Sequence, residues 1–388
     1  MTTEQETLLY YPFVRTATLD PPAELAELRA KGPIHRVRTA AGAAWLVTRQ
    51  ADVRELLSSP AFGTGYPGAM PTGADDLATG FMFLHDPPEH TRLRRSVARA
   101  FTARRVAELG QRARVIAAEL VAAMRDRGPV LDLQAEFAFP LPIAVTAELL
   151  GIPEPDRARF RGWADIVLRP GDATGDRGAA FVDLQQFVVD LVDAKPDGPD
   201  LLSDLVREPD GLHRLEIAAM ALGLLMAGYV TTASAISLGM LRLFTTPGAL
   251  TPLRAGTVHT GRVVEELLRL QDEEIGVTRV ARSDVDLCGV RIGAGETVIA
   301  ARSGANRDPS VYAAPDEFDP TAARAPHLAF GHGIHHCLGA ALARMELTVA
   351  LDTLLDGLPG LRLAVPPDAV RWSAQGMDVA IETLPIDW

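Results

Sequence analysis

The sequence predicts a mainly α-helical chain with a small β-rich region. Apolar residues recur at helical spacing through residues 89–127, an uncharged apolar run fills residues 217–241, and period-two alternation is confined to residues 34–49 and 285–300. Near the start, LAELRAKGP reads as a short helix stopped by Gly32 and Pro33. IHRVRTAAGAAWLVTR alternates around a glycine-containing turn, as a hairpin does. ADVRELLSSP is a second short helix closed by Pro60. Residues 62–80, FGTGYPGAMPTGADDLATG, form a glycine-rich stretch too long for a simple connection, and such loops often act as lids or binding loops. LDLQAEFAFPLPIAVTAELLGIP continues the helical series, with Pro140 and Pro142 marking an interruption and GIPEP an end. Residues 170–178 and 195–200 read as surface connections. TVHTGRVVEELLRL is a strong helix, and VDLCGVRIGAGETVIA alternates in segments broken by Gly289 and Gly293–Gly295.

The 388 residues would suffice for two or three domains at about 150 residues each. No linker, repeat or low-complexity tract divides them, which favours a single domain over residues 1–388. Hydrophobic types at 47% and charged types at 23% supply a large core and exclude a disordered or collagen-like chain. A net charge of −12 argues against binding a nucleic-acid polymer. The only cysteines, Cys288 and Cys337, exclude a disulfide framework and a cysteine-rich metal site, and no disulfide-linked partner is expected. MTTEQETLLYYPF lacks the basic start and apolar run of a signal peptide, so a cytoplasmic location is expected. Residues 217–241 are long enough to span a membrane, but their hydroxyls, glycines and unflanked ends favour a buried helix and no membrane partner.

The strongest local signal is FGHGIHHCLG, residues 330–339. Gly331 and Gly333 allow a loop to approach a flat ligand closely. Cys337 precedes the helical LGAALARMELTVALDTLL, where the positive end of a helix dipole favours a thiolate, a soft ligand for iron. A zinc site made from His332, His335, His336 and Cys337 would crowd its ligands more closely than usual zinc spacing. A small buried hydrophobe, the bland alternative for a lone cysteine, does not account for the glycines and histidines around it.

FGHGIHHCLG resembles the heme-binding loop, FGxGxHxCxG, of the cytochrome P-450 superfamily. The resemblance covers essentially the whole chain and implies that family's fold. It implies heme b as cofactor, with Cys337 as the axial iron ligand, Phe330 packed near the sulfur and His335 at a heme propionate; His332 and His336 fall on variable positions. ELLR, residues 266–269, is similar to the family's ExxR motif, which makes Glu266 and Arg269 a structural ion pair on one helix face. ANRDP, residues 305–309, matches a further family turn. HDPPEHTRLRR, residues 85–95, resembles the start of a helix whose His90 and Arg94 would bind propionates, as would Arg279 and His327. Arginine's fork suits carboxylates. One departure is FDPTA, where Ala322 stands in place of the family's arginine and Arg324 follows two residues later; a weakened or rearranged ExxR network is expected.

AGYVTT, residues 227–232, resembles the family's oxygen-side helix. The resemblance makes Ala227, Gly228, Val230 and Thr231 the candidate catalytic stretch. Gly228 leaves room, Thr231 organises oxygen and a water, and Val230 replaces the usual acid. Valine cannot relay a proton, which leaves three outcomes: water replaces the acid, the substrate supplies polar groups, or one-electron oxidation wins over oxygen insertion. The third leads to oxidative radical coupling and is the expectation here. A narrower resemblance, to actinobacterial enzymes that modify cyclodipeptides, makes an aromatic 2,5-diketopiperazine containing Trp or Tyr the expected substrate, joined through C–C or C–N bonds. The alternative is a conventional monooxygenase hydroxylating a small secondary metabolite such as a macrolide or terpenoid. Phe62, Tyr66, Met82, Met226, Ile275 and Gln375 are the substrate-pocket candidates, an apolar set with few polar groups. No flavin or nicotinamide domain is visible, so electrons from NAD(P)H are expected through a separate ferredoxin reductase and ferredoxin.

Overall fold

A computed structural model describes residues 8–14, 19–65, 80–168, 176–195, 197–208, 211–271, 276–322, 325–373 and 380–388. In chain order the first elements are α1 (Ala23–Lys31), β1 (Ile34–Thr39), β2 (Gly42–Val47), α2 (Gln50–Ser58) and β3 (Phe62–Gly63). Next come α3 (Glu89–Val97), α4 (Ala103–Arg127), β4 (Leu131–Asp132), α5 (Pro140–Leu150), α6 (Glu154–Leu168), α7 (Arg177–Asp193), α8 (Leu201–Arg207), α9 (Arg214–Gly228), α10 (Val230–Thr245), α11 (Leu250–Arg254) and α12 (Thr260–Leu270). The remainder comprises β5 (Val277–Ala281), β6 (Val285–Leu287), β7 (Val290–Ile292), β8 (Thr297–Ala300), α13 (Arg302–Ala305), α14 (Ala340–Gly357), β9 (Arg362–Leu363), β10 (Arg371–Ser373), β11 (Ala380–Thr383) and β12 (Pro385–Asp387). The described residues divide into two compact units: those up to Gly65 and within Glu266–Cys337 form one, and those within residues 80–265, 338–373 and 380–388 the other.

The first unit holds the larger sheet, in the order β1-β2-β8-β5-β3. β1 and β2 form the expected hairpin, from Ile34 opposite Val47 to Thr39 opposite Gly42, and β2 runs parallel to β8. Successive side chains of a strand point to opposite faces, and the two core clusters of the unit divide accordingly. Val47, Val298 and Ala300 join Val53, Leu56 and Leu57 of α2, while Ala44, Leu46 and Ile299 join Leu25 and Leu28 of α1. β6 and β7 are joined by the two residues Cys288 and Gly289, whose φ values of 53° and 76° suit the tight turn of a two-residue hairpin. Cys288 is half-buried in that turn, with its thiol pushed up to about 12, first by burial and then by Asp52.

The second unit is helical, with α4 and α14 packed along each other and α9 and α10 deeply buried. Pro140 and Pro142 do not break a helix here. They occupy the first turn of α5, where a missing N–H leaves no bond unmade. Gly151 ends α5 in the left-handed conformation, at φ 67° and ψ 42°. The long apolar run, Arg214–Thr245, is long and apolar enough to cross a membrane; two thirds of its most apolar window is buried inside the protein. Its regular helix is interrupted at a single residue, Tyr229: α9 ends at Gly228 and α10 begins at Val230.

Candidate active site

Three backbone bonds build the cysteine loop. Gly331 N–H donates to Leu328 O (2.8 Å), His336 N–H to Gly333 O (3.0 Å) and Cys337 N–H to Phe330 O (2.9 Å). Gly331 and Gly333 take φ values of 71° and 72°, where a side chain is strained. Their surroundings differ. A Cβ on Gly333 would stand 2.3 Å from Leu57 O at the end of α2, so this glycine lets the loop pass a protein backbone rather than a ligand. A Cβ on Gly331 would meet nothing nearer than His335 O at 4.0 Å, which leaves that face of the loop open. Cys337 is exposed and lies two residues before Gly339, the N-cap of α14.

Around it, His327 Nδ1 accepts from Ala329 N–H at 3.2 Å, and Arg302 donates to Ala329 O at 2.7 Å. The Phe330 ring lies 6.0 Å from that of His327 and 6.4 Å from that of His336. His335 is half-buried in a 3-10 turn, His336 is exposed, and burial followed by the nearby Arg54 charge lowers the His332 imidazole pKa. Arg279 is buried on β5 and donates to Thr278 O at 2.9 Å.

The ExxR pair is a closed network. Glu266 and Arg269 are 3% and 1% exposed. Arg269 Nε and Nη2 each donate to the Glu266 carboxylate at 2.8 Å. Nη1 also donates to Asn306 O (3.0 Å) and Pro315 O (2.6 Å), and Nη2 to Glu317 O (3.1 Å). A guanidinium carries five N–H donors, and all five are matched. Glu266 Oε1 additionally accepts from Asp319 N–H at 3.0 Å. The expected weakening at Ala322 does not follow: backbone carbonyls complete the network around Arg269. ANRDP is part of the same knot. Asn306 Oδ1 accepts from Leu328 N–H (2.6 Å), Arg307 donates to Leu270 O (3.0 Å), and Asp308 accepts from Gln50 N–H (2.9 Å). These contacts tie the residues before the cysteine loop to α12, a linkage that the turn motif alone did not reveal.

In the second unit, His90 is buried on α3 and Arg94 follows one turn later, half-buried. Burial first, and the Arg94 charge second, push the His90 imidazole below its ordinary range against the pull of Asp86. Ala227 and Thr231 are exposed, and Met226, Gly228 and Val230 half-buried. Thr231 Oγ1 donates back to Ala227 O at 2.6 Å. A Cβ on Gly228 would meet only Thr146 Oγ1, at 3.8 Å. Among the pocket candidates, Phe62 is packed in the core cluster with Leu57 and Ala281, so its burial is explained without a ligand. Met82 is half-buried in a 3-10 turn. Tyr66, Ile275 and Gln375, and with them Arg324, lie outside the described residues. Two features escaped the motif reading: the side-chain bond between Tyr229 and Asp165, and the buried Glu346 inside α14. Glu346 did leave a signal, a lone acid on an otherwise apolar helix face.

Across its whole length this chain is similar to proteins of known identity. It is 40% identical over 389 residues to the mycinamicin IV hydroxylase/epoxidase of Micromonospora griseorubida, covering 97% of this chain and 98% of that one. The chain belongs to the cytochrome P-450 family. The family profile matches residues 259–359, which contain the ExxR pair, the ANRDP turn and the cysteine loop. The cytochrome P-450 monooxygenase PikC of Streptomyces venezuelae is 42% identical over 380 residues, covering 95% of this chain and 91% of that one. The crystal structure of the cytochrome P-450 hydroxylase LnmA, from the leinamycin biosynthetic pathway of Streptomyces atroolivaceus, superposes with a TM-score of 0.89 at 39% identity, covering 98% of this chain and 100% of that one. This cytochrome P-450 is an oxidoreductase of a family that uses heme iron, with bacterial members drawing electrons from ferredoxin and its reductase. Its donor set fits that cofactor. A single exposed thiol beside the open face of Gly331 offers one soft ligand to an iron that brings its own four nitrogens. Arginine and histidine side chains suit the two propionates.

Proposed function

We propose that this cytochrome P-450 is a monooxygenase that hydroxylates a small secondary metabolite. The observation that carries this reading is the full-length similarity, at 40% identity, to an enzyme named for hydroxylating and epoxidising mycinamicin IV. A macrolide-type or similarly sized natural product is therefore the first substrate class to test, ahead of an aromatic cyclodipeptide. The whole chain, 1–388, acts as one catalytic domain in the cytoplasm.

In this reading Cys337 would hold the heme iron and Phe330 would shield its sulfur. His90, Arg94, Arg279, His327 and His335 would hold the propionates, and Glu266 with Arg269 would keep the loops before the cysteine in register. The heme, when bound, supplies reductive activation of O2 with two electrons from ferredoxin. Thr231 holds a water against the oxygen side. Its proton is directed to Ala227 O, which leaves its oxygen lone pairs to accept from that water. Gly228 leaves room beside it, Met82 and Met226 are candidate pocket walls, and Val230 excludes the acid that would otherwise pass a proton to Thr231.

Val230 favours a second reading, oxidative coupling of an electron-rich aromatic ring with oxygen reduced to water. Isotope-labelled O2 separates the two. One labelled oxygen in the product is expected for hydroxylation; an unlabelled, dimeric or cross-linked product overturns it. The thiolate assignment is tested by the reduced, carbon-monoxide-bound band at about 450 nm, which Cys337→Ser is expected to abolish. A panel of macrolides and of Trp- or Tyr-containing cyclodipeptides, scored by low-to-high spin conversion, identifies the substrate class. Response to the cyclodipeptides alone would reject the first reading.

A further inference from the structure

Tyr229, between α9 and α10, has no part in the roles assigned above. It is fully buried, and its backbone sits at φ −81° and ψ −72°. Its ring meets that of Phe139 nearly edge-on, with centroids 5.5 Å apart and planes at 68°. Its hydroxyl donates to Oδ1 of Asp165 on α6. The Asp165 side chain is 24% exposed, and Arg161 Nε lies 3.6 Å from its Oδ2.

The break around Tyr229 is held along its own helix by Tyr229 N–H to Leu225 O (3.0 Å) and Ala233 N–H to Tyr229 O (3.1 Å). Thr231 Oγ1 reaches back to Ala227 O at 2.6 Å. Back-bonding of this kind often bends helices, and a contact to another element fixes where a bent segment stands. Ala227, Gly228 and Val230 have no side chain able to form a hydrogen bond. The described bond of Thr231 is directed to its own helix. Tyr229 alone among these five residues joins the break to another element through a described side-chain hydrogen bond. Two residues correspond to about 200° around a helix, so Tyr229 faces the core while Thr231 faces outward, in keeping with their opposite burial.

We propose that Tyr229 and Asp165 are a positioning pair: their hydrogen bond ties the α9–α10 break to α6 and thereby sets where the Thr231 hydroxyl and Ala227 carbonyl stand. The inference rests on the reading of Thr231 as the oxygen-side residue. Neither Tyr229 nor Asp165 is assigned contact with substrate. Their effect on the reaction passes through the geometry of Thr231.

The test compares full-length, heme-loaded wild type with Tyr229→Phe, Asp165→Leu, Asp165→Asn and Thr231→Ala. Phenylalanine keeps the buried ring and removes only the hydroxyl. Asparagine keeps an acceptor oxygen and leucine removes it. Amide hydrogen exchange is followed in peptides covering residues 225–235 and 158–168. Tyr229→Phe and Asp165→Leu are expected to speed exchange in both peptides together by about tenfold, the effect of losing a hydrogen bond to a charged acceptor, and Asp165→Asn to restore most of the protection. The second readout is the share of reducing equivalents released as hydrogen peroxide, expected to rise severalfold in the two disrupting variants and to return towards wild type in Asp165→Asn. Asp165→Leu, at a partly exposed position, tests the same bond should Tyr229→Phe fold poorly. Unchanged exchange at 225–235, or faster exchange at 158–168 alone, overturns the pair. So does an unchanged peroxide share in the disrupting variants when Thr231→Ala raises it. If Thr231→Ala leaves the peroxide share unchanged, the oxygen-side reading of Thr231 fails instead, and the exchange result alone decides the pair.

Discussion

Replacing Arg269 with lysine probes the network before the cysteine loop most directly. Arg269 has five N–H donors and five acceptors: two on Glu266 and the carbonyls of Asn306, Pro315 and Glu317. Lysine offers three donors from one point, so at least two bonds are lost however the side chain settles. Hydrogen bonds involving a charged group are worth about 1.5–3 kcal/mol each, giving a loss of about 3–6 kcal/mol. Lysine keeps a positive charge beside Glu266 and so avoids the further ~3–5 kcal/mol that follows when one member of a buried pair is deleted. That makes Arg269→Lys more informative than Arg269→Ala. Against a total stability of about 5–15 kcal/mol, the variant is expected to fold with a clearly lowered urea midpoint. The assay is equilibrium unfolding of the heme-loaded protein, followed by both circular dichroism and tryptophan fluorescence so that coincidence of the two transitions checks the two-state treatment. A variant within about 1 kcal/mol of wild type would mean that the five-donor match does not carry the stability argued for it.

Three further outcomes follow from single positions. Gly333→Ala combines a backbone strain of about 1–2 kcal/mol with a clash worth about 1–3 kcal/mol against Leu57 O. Gly331→Ala incurs only the strain, so Gly333→Ala should have the lower urea midpoint, and the reverse order would refute the different reasons given for the two glycines. The Cys288 thiol, pushed up to about 12 by burial and then by Asp52, should stay protonated and unreactive near neutral pH, so peptide mapping of the heme-free chain after brief alkylation should find label on Cys337 and not on Cys288. Burial raises the Glu346 carboxyl pKa well above its ordinary range. Above the ordinary carboxylate pKa the folded chain therefore holds a proton that the unfolded chain releases, and stability falls as pH rises. Glu346→Gln should remove that slope and raise the urea midpoint at neutral pH relative to acid pH; parallel pH profiles for the two proteins would count against it.

What could be read in advance was whatever local residue identity carries. The hairpin at β1–β2, the helix through Glu266 and Arg269, and the cysteine loop all have side chains or glycines at short spacing that specify them. Acceptors contributed by the backbone carry no such mark. The carbonyls of Asn306, Pro315 and Glu317 complete the Arg269 network, and no residue type announces a carbonyl. The substitution at Ala322 was therefore visible, but its small consequence for Arg269 was not. Gly331 and Gly333 show the same limit, since one letter stands for an open face in one case and a passing backbone in the other. Phe62 reads as a pocket wall from its residue type, whereas its packing with Leu57 and Ala281 follows only from the pairing of β3 with β5. Pro140 and Pro142 were legible as an interruption, though whether they end one helix or begin another depends on the turn before them.

The oxygen-side helix separates what a residue lacks from what its surroundings supply. Val230 was recognisable as a missing acid, and from the motif alone that loss left open a replacing water, polar groups of the substrate, or coupling chemistry. The structure shifts attention from the absent carboxylate to the residues that hold the break. Thr231 keeps a hydrogen bond to Ala227 O, and Tyr229 reaches Asp165 from the opposite side of the helix. A valine at 230 then removes one proton donor without removing the device that orients Thr231, and an ordered water can take over the transfer if that orientation survives. Full-length similarity to a mycinamicin IV hydroxylase/epoxidase and the hydrogen bond that fixes Thr231 on its own helix both fit the proposed reading as a hydroxylase.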